Sequence, residues 1–222
     1  MDVPLVVTDF DGTLFEQDMG HVLCDRFAGP AWREINGRLY TGELDLPEAQ
    51  RQMWGLMEVS LEELVATALE AGRMRRGGDA LFRAAADGRC ELVVASGGFD
   101  FYVQALLGDR VGVLSALYCN HLSVLDNRPT PEFPHSDLRC GRCAICKAQV
   151  VARHRGTSGR RVIFCGDGFS DCCVAGACEA PTPEPVPELY VIEGRSLHEH
   201  CIEHALPCEL LTDFQQVVRA LE

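Results

Sequence analysis

Four carboxylates and one lysine stand where the chain could do chemistry on a phosphate ester. Asp9 and Asp11 flank Phe10 in Leu5-Val6-Val7-Thr8-Asp9-Phe10-Asp11-Gly12-Thr13-Leu14. On extended backbone, alternate side chains share a face, so the two acids lie side by side. Gly12 lets the chain turn there without a Cβ clash. Paired acids repel unless a cation joins them, and oxygen-only donors suit magnesium. A carboxylate can also be a nucleophile through an aspartyl-phosphate intermediate. Further on, Ser96-Gly97-Gly98 and Gly166-Asp167-Gly168-Phe169-Ser170-Asp171 each follow an apolar, β-branched run, and Lys147 lies just before the second of these runs. Phosphoryl transfer needs an in-line nucleophile, neutralised charge and donors around the phosphoryl oxygens. This set supplies each part.

The elements that must position these groups follow from pattern. Leu5–Thr8, Glu91–Ala95, Arg160–Cys165 and Leu189–Ile192 are short apolar runs that predict buried strands of a parallel sheet. In such a sheet all the strands' carboxyl ends lie at one edge, where ligands bind. Helical spacing is expected over Met19–Phe27, from Pro30 and Trp32, over Leu46–Met57 with Pro47 in the first turn, and from Ser60, where Glu63 completes a capping box. Gly72 stops that helix and Gly77-Gly78 marks a hinge. Further helices are predicted over Asp79–Asp87, Phe99–Leu107, Cys143–His154, Ser196–His204 and Thr212–Leu221. Leu114–Cys119 and His121–Leu125 are expected as two short strands joined through Asn120. Pro129–Pro134 and Pro181–Pro187 are expected as loops. The fold class is therefore α/β, a Rossmann-like parallel sheet with helices on both faces. Residues 1–14 and 79–222 form its core domain, and an all-helical segment, 15–78, is inserted after the first strand.

Bulk properties narrow the partners. The 222 residues are 47% hydrophobic with a net charge of -13, enough apolar material for a sizeable core. The acidic balance, with a pI near 4.9, argues against nucleic acid or an anionic membrane as partner. The start lacks the basic and apolar regions of a signal peptide, and no apolar run reaches the ~20 residues of a bilayer span. A cytoplasmic chain is expected. Its twelve cysteines are then read as mostly reduced, each one behaving as a small buried hydrophobe.

The motifs, in this order and spacing, resemble the four-motif signature of the haloacid dehalogenase superfamily phosphatases. The resemblance spans Asp9 to Asp171 and implies a helical cap over a Rossmann-like core. It implies a magnesium-dependent phosphomonoesterase in which Asp9 attacks phosphorus and Asp11 protonates the leaving group. Thr13, Ser96 and the Gly97 backbone N–H would bond phosphate oxygens, and Lys147 would neutralise the phosphoaspartate. Asp9, the Phe10 backbone carbonyl, Asp167 and Asp171 would hold the metal. Asp18 falls where helical-cap relatives place an acid at the cap entrance, so it is a substrate-binding candidate.

Cys140-Gly141-Arg142-Cys143-Ala144-Ile145-Cys146-Lys147 and the tail from Glu193 to Phe214 resemble the methionine-salvage branch, which acts on an enol phosphate. Phosphoserine and phosphocholine phosphatases are close cousins and stand as alternatives. A phosphotransferase would use the same motifs, and a non-catalytic thiol redox module on the scaffold is a further rival. The loop cysteines have zinc spacing, but a structural site needs four ligands. His135 or His154 could complete one. The reading favoured here is a solvent-shielded or redox-active thiol cluster.

Overall fold

A computed structural model describes residues 3–135, 140–156, 159–177 and 183–222. Seven strands form one sheet: β1 (Leu5–Thr8), β2 (Glu91–Phe99), β3 (Ala116–Leu125), β4 (Arg128–Glu132), β5 (Val162–Gly166), β6 (Glu188–Val191) and β7 (Cys208–Leu210). Their spatial order is β4-β3-β2-β1-β5-β6-β7. Every pairing is parallel except that of β3 with β4. β1 lies between β2 and β5, so the first, second and fourth catalytic motifs leave the sheet from three adjacent strands.

The alternation of β1 sorts the core into two layers. Val6 packs with Leu92, Val94 and Ile163 in one apolar cluster. Leu5 and Val7 face the other way, with Val93, Phe164, Val150 and Leu197. The first layer is covered by α5 (Gly78–Ala86), α6 (Asp100–Leu107) and α9 (Gln215–Ala220), the second by α7 (Lys147–Arg155) and α8 (Ser196–Glu203). Helices on both faces are as expected from a parallel sheet.

Between β1 and α5 run four helices: α1 (Met19–Phe27), α2 (Trp32–Tyr40), α3 (Leu46–Trp54) and α4 (Leu61–Ala71). Their starts are written locally. Asp18 caps α1 by accepting the His21 N–H, and Asp45 caps α3 by accepting the Glu48 N–H, with Pro47 in the first turn. Ser60 and Glu63 form the full capping box of α4. Trp32, Met53 and Trp54 of these helices belong to the same apolar cluster as Val6 and Phe10.

Three expectations change. β3 is one strand running through Asn120, not two. Its partner β4 occupies part of the segment expected as a proline loop. Leu125 pairs with Arg128 across Asp126 and Asn127, both at positive φ (49° and 59°), a turn whose twist suits a hairpin. Pro129 and Pro131 lie at alternate positions on an edge strand, where a missing N–H need cost no ladder bond. Helix α7 begins at Lys147, not Cys143, and residues 140–146 are irregular. β7, three residues long, had no pattern to announce it. Of the expected loop from Pro181 to Pro187, residues 181 and 182 lie outside the described residues, and 183–187 carry no regular element.

Candidate active site

Asp9 follows β1, its backbone N–H donating to the Cys165 carbonyl of β5 at 2.8 Å. Gly12 then takes φ +76°, and a Cβ there would run into the Asp167 carboxylate. This contact brings the first and fourth motifs together, and only glycine fits it. Arg75, on the return from the inserted helices, fixes the loop from outside. Its guanidinium donates to the Gly12 and Thr13 carbonyls, each at 2.7 Å.

Lys147, the first residue of α7, is the buried cation of the site, 1% exposed. Its Nζ lies 2.7 Å from Asp9 Oδ1 and also pairs with Asp171 Oδ1. Asp171 Oδ2 accepts the backbone N–H groups of Asp167 and Gly168, both at 2.8 Å. Asp171 therefore orients the lysine with one oxygen and the Asp167 turn with the other. Burial alone would pull the lysine down, but Asp171 and Asp9 overcome it and hold the ammonium above its ordinary value.

The carboxylates are under-compensated. Burial, with the neighbouring charge of Asp171, pushes Asp9 well above the usual carboxylate range, against the pull of Lys147. The same causes raise Asp167 to about 6. Oxygens of Asp9, Asp167 and Asp171 lie within 4.8 Å of one another, all three residues buried. Three acids against one ammonium, with hard oxygen donors, fit a small divalent cation. Asp9 and Asp167 are the better direct ligands, since both Asp171 oxygens already have partners.

Asp11 sits in a different setting. Its Oδ2 accepts Tyr102 Oη at 2.7 Å and Ser96 Oγ at 3.2 Å, and its Oδ1 accepts the Met19 N–H at 2.9 Å. Burial, then the charge of Asp18, raises its pKa to about 7, while these donors hold it from going further. A carboxyl that titrates near neutrality can give and take a proton at physiological pH.

β2 supplies the remaining wall through a bulge. Ala95 pairs with Tyr118 and Phe99 with Asn120, so Ser96-Gly97-Gly98 is extra chain on the β2 side. The Gly97 carbonyl accepts Asn120 Nδ2 at 2.7 Å and Gln50 Nε2 at 2.8 Å, and the Gly98 N–H donates to Ser96 Oγ. Gly98 is packed so closely that a Cβ would meet Tyr102 Oη and Asp11 Oδ2.

A cavity of about 190 Å³ opens above these groups. Asp9, Asp11, Gly97, Lys147 and Asp167 line its floor, and Asp18, His21, Tyr40, Gln50, Met53 and Trp54 come from the helical insertion. Asp18, half-exposed, lines this cavity while capping α1.

Three residues expected at the phosphate or the metal make other contacts in this structure. Thr13 is fully buried and does not line the cavity; after the left-handed turn at Gly12 its hydroxyl points back to Asp167 Oδ1, at 3.2 Å. Ser96 is likewise buried, its hydroxyl spent on Asp11 and Gly98. The Phe10 ring is stacked on Phe15, and the Phe10 carbonyl accepts the Phe15 N–H at 2.9 Å, which leaves the second lone pair of that oxygen for a metal. Conversely, sequence reasoning missed Tyr102, Gln50, Asn120 and Arg75. Tyr102 looks like one more aromatic on an apolar helix face, and nothing local marks the other three.

A parallel sheet with acids at its central strand ends, a lysine between them and a helical insertion above defines a hydrolase class. A model of haloacid dehalogenase-like hydrolases matches residues 6–175. The chain belongs to that family. Among curated proteins it is similar to the 2-hydroxy-3-keto-5-methylthiopentenyl-1-phosphate phosphatases of Bacillus thuringiensis subsp. konkukian (strain 97-27) and Bacillus cereus (strain G9842). Each is 27% identical over 169 residues, 75% of this chain and 76% of theirs. Among solved structures, a substrate-bound phosphoserine phosphatase superposes with a TM-score of 0.72 at 17% identity, over 100% of both chains. A phospho-aspartyl intermediate analogue of phosphoserine phosphatase gives 0.72 at 18%, again over 100% of both. At such identities these two likenesses are of fold. Among the described residues, no helix is long and apolar enough to cross a membrane.

Proposed function

We propose that this chain is a magnesium-dependent phosphomonoesterase acting through a phosphorylated Asp9 on a small metabolite. The observation that carries the reading is the pairing of two differently set acids: Asp9 held by Lys147, and Asp11 held by Tyr102 at a pKa of about 7. Lys147 engages Asp9 Oδ1, so Oδ2 attacks phosphorus. The bond from phosphorus to the ester oxygen breaks, and Asp11 gives that oxygen its proton. Asp11, now ionised, takes a proton from water as the water oxygen attacks phosphorus, which releases phosphate and restores Asp9. Asp9 and Asp167, with Asp171 behind them, would hold magnesium, which would supply neutralising charge for the phosphoryl oxygens. Lys147, paired with Asp9, stabilises the same developing charge. Thr13 keeps Asp167 in place.

The four inserted helices act as a cap that excludes water and large substrates from the cavity. The cavity wall they provide offers Leu39, Met53 and Trp54 as apolar surface, with Asp18, Asn36 and Gln50 as polar groups. Gln50 Oε1 has no hydrogen-bond partner among the described residues, so it can accept from a substrate hydroxyl. No lysine or arginine of the inserted helices lines the cavity. The apolar surface and Gln50 suit a hydroxylated substrate with an apolar tail, such as a methionine-salvage enol phosphate. Arg195, which lines the cavity from the core, is the one guanidinium there among the described residues that could meet a carboxylate such as that of phosphoserine.

A panel of phosphorylated metabolites with phosphate release as readout tests the reading. Activity should need magnesium, and kcat/KM should favour hydroxylated, partly apolar monophosphates. Full turnover after removal of all divalent ions, or a marked preference for phosphoserine, would contradict it. Asp18→Ala should alter KM and substrate ranking far more than kcat on an aryl phosphate. Coinciding profiles would remove Asp18 from the entrance.

A further inference from the structure

The loop before α7 and the turn after β5 meet at a second cluster, behind the catalytic acids. It consists of four cysteines. The sulfurs of Cys140, Cys146 and Cys173 all lie within 4.8 Å of one another. Cys173 Sγ is 3.8 Å from Cys140 Sγ and 3.6 Å from Cys143 Sγ. None of the four is in a disulfide. Cys143, Cys146 and Cys173 are buried, and Cys140 is partly so.

The spacing discriminates between readings. A disulfide would need sulfurs about 2.05 Å apart. Four thiolates around one zinc at about 2.3 Å sit at the corners of a tetrahedron with edges of about 3.8 Å. The Cys140–Cys173 and Cys143–Cys173 separations match that edge. Cys143 Sγ is more than 4.8 Å from at least one of the other two sulfurs, so the metal would draw the loop in by about an ångström. Cysteines that merely pack as hydrophobes have no reason to converge sulfur to sulfur from two distant segments. The backbone around them also calls for a support. Residues 140–146 have no regular structure, yet Cys143, Ala144, Ile145 and Cys146 are all buried. Buried irregular chain of this kind needs a fixing contact. The histidines considered as fourth ligands lie elsewhere: His154 Nε2 is 2.9 Å from Tyr118 Oη, and His135 packs on the Tyr118 ring. The fourth donor is Cys173, 27 positions beyond Cys146 in sequence.

We propose that Cys140, Cys143, Cys146 and Cys173 bind one zinc ion as a structural tetrathiolate site. Binding exchanges four thiol protons for the metal, leaving a complex of net charge -2. No electron transfer is involved. The site clamps the catalytic elements: Cys146 immediately precedes Lys147, and Cys173 follows Asp171 by two residues. The ion therefore ties the two segments whose side chains form the Lys147–Asp171 pair. The same loop reaches the cap and the cavity rim. The Arg142 carbonyl accepts the Leu46 N–H at 2.9 Å, and its guanidinium lies 4.2 Å over the Phe169 ring.

The test is elemental analysis of full-length protein, purified without chelators from zinc-supplemented cells. One zinc per chain is expected, released by a mercurial thiol reagent and detected with a zinc-binding dye. Protein reconstituted with cobalt should show the strong thiolate-to-cobalt charge-transfer and visible bands of a tetrahedral four-sulfur site. Cys143→Ser and Cys173→Ser should each lose the zinc and lower Tm, while Cys119→Ser retains both. Less than about 0.1 zinc per folded chain would overturn the proposal. So would disulfides among these cysteines, or full zinc in Cys173→Ser. If the serine variants fail to fold, the cobalt spectrum of the wild-type sequence decides, and absence of the four-sulfur bands overturns it.

Discussion

Asp9 and Asp11 are two residues apart and alike in chemistry, yet their surroundings set them to opposite tasks. Asp9 faces an ammonium; Asp11 faces a phenol, a hydroxyl and a backbone N–H. Asp9→Asn should lower turnover by on the order of 10⁴-fold or more, because no other nucleophile is placed in line. Asp11→Asn should slow the phosphorylation of Asp9, measured in a single turnover, by roughly 10²–10⁴-fold with a poor leaving group and by less with an activated aryl phosphate. Equal losses on both would contradict the acid role. Tyr102→Phe removes a donor that favours the ionised form of Asp11, so its pKa should rise. A proton donor works below its pKa. The alkaline limb of the pH–rate profile on an alkyl phosphate should thus move to higher pH in Tyr102→Phe, and an unchanged limb would argue against Asp11 as the donor.

At the scale of elements, the site depends on where strands stop. The β2 bulge shows this most clearly, because Gly98 leaves room for Tyr102 and Asp11 to meet. Gly98→Ala drives a methyl into the buried Tyr102 hydroxyl, so it should lower Tm and also lose about 10²-fold in kcat as Tyr102 and Asp11 are pushed apart. Retention of full activity would mean that the close approach is dispensable. The capping box of α4 offers a stability counterpart: Ser60→Ala should cost about 0.5–2 kcal/mol in denaturant unfolding, with little change in kcat.

Much at this scale was readable from local pattern. β1, β2, β5 and β6 announce themselves by β-branched runs, and α4 by the Ser60–Glu63 capping box, whereas the caps at Asp18 and Asp45 emerge only in the structure. Edge strands were harder. Pro129 and Pro131 speak against a strand until it is known to be an edge, and Cys208–Leu210 is too short for any period. The fourth sulfur, Cys173, and the supports Gln50, Asn120 and Arg75 were illegible for a common reason. Each acts across a tertiary gap that no local spacing encodes. Thr13 and Ser96 were located by motif, but their hydroxyls turn toward carboxylates, a detail set by the Gly12 turn and the bulge.

For the whole molecule, gathering acids around one lysine has a cost that depends on pH. Asp11, at about 7, and Asp167, at about 6, hold protons to higher pH than unfolded carboxyls, which titrate near 4. Asp9 is raised as well. The folded chain therefore binds more protons across that window, and stability falls as pH rises through it. Magnesium-free protein should melt at lower temperature at about pH 8 than at about pH 5.5. Magnesium, or Asp167→Asn, should reduce the difference. A magnesium-free Tm that is flat or rising with pH would refute the under-compensated cluster.

The central claim is that Asp9 carries the phosphoryl group, and trapping that intermediate tests it most directly. Asp11→Asn should still be phosphorylated by an activated aryl phosphate in magnesium, because that leaving group needs little help, but should hydrolyse slowly for want of a base. After acid quenching, peptide mass spectrometry should find one phosphoryl group per chain, on the peptide containing Asp9, and none in Asp9→Asn/Asp11→Asn. A phosphoryl group on any other residue, or the same adduct in the double variant, would contradict the account.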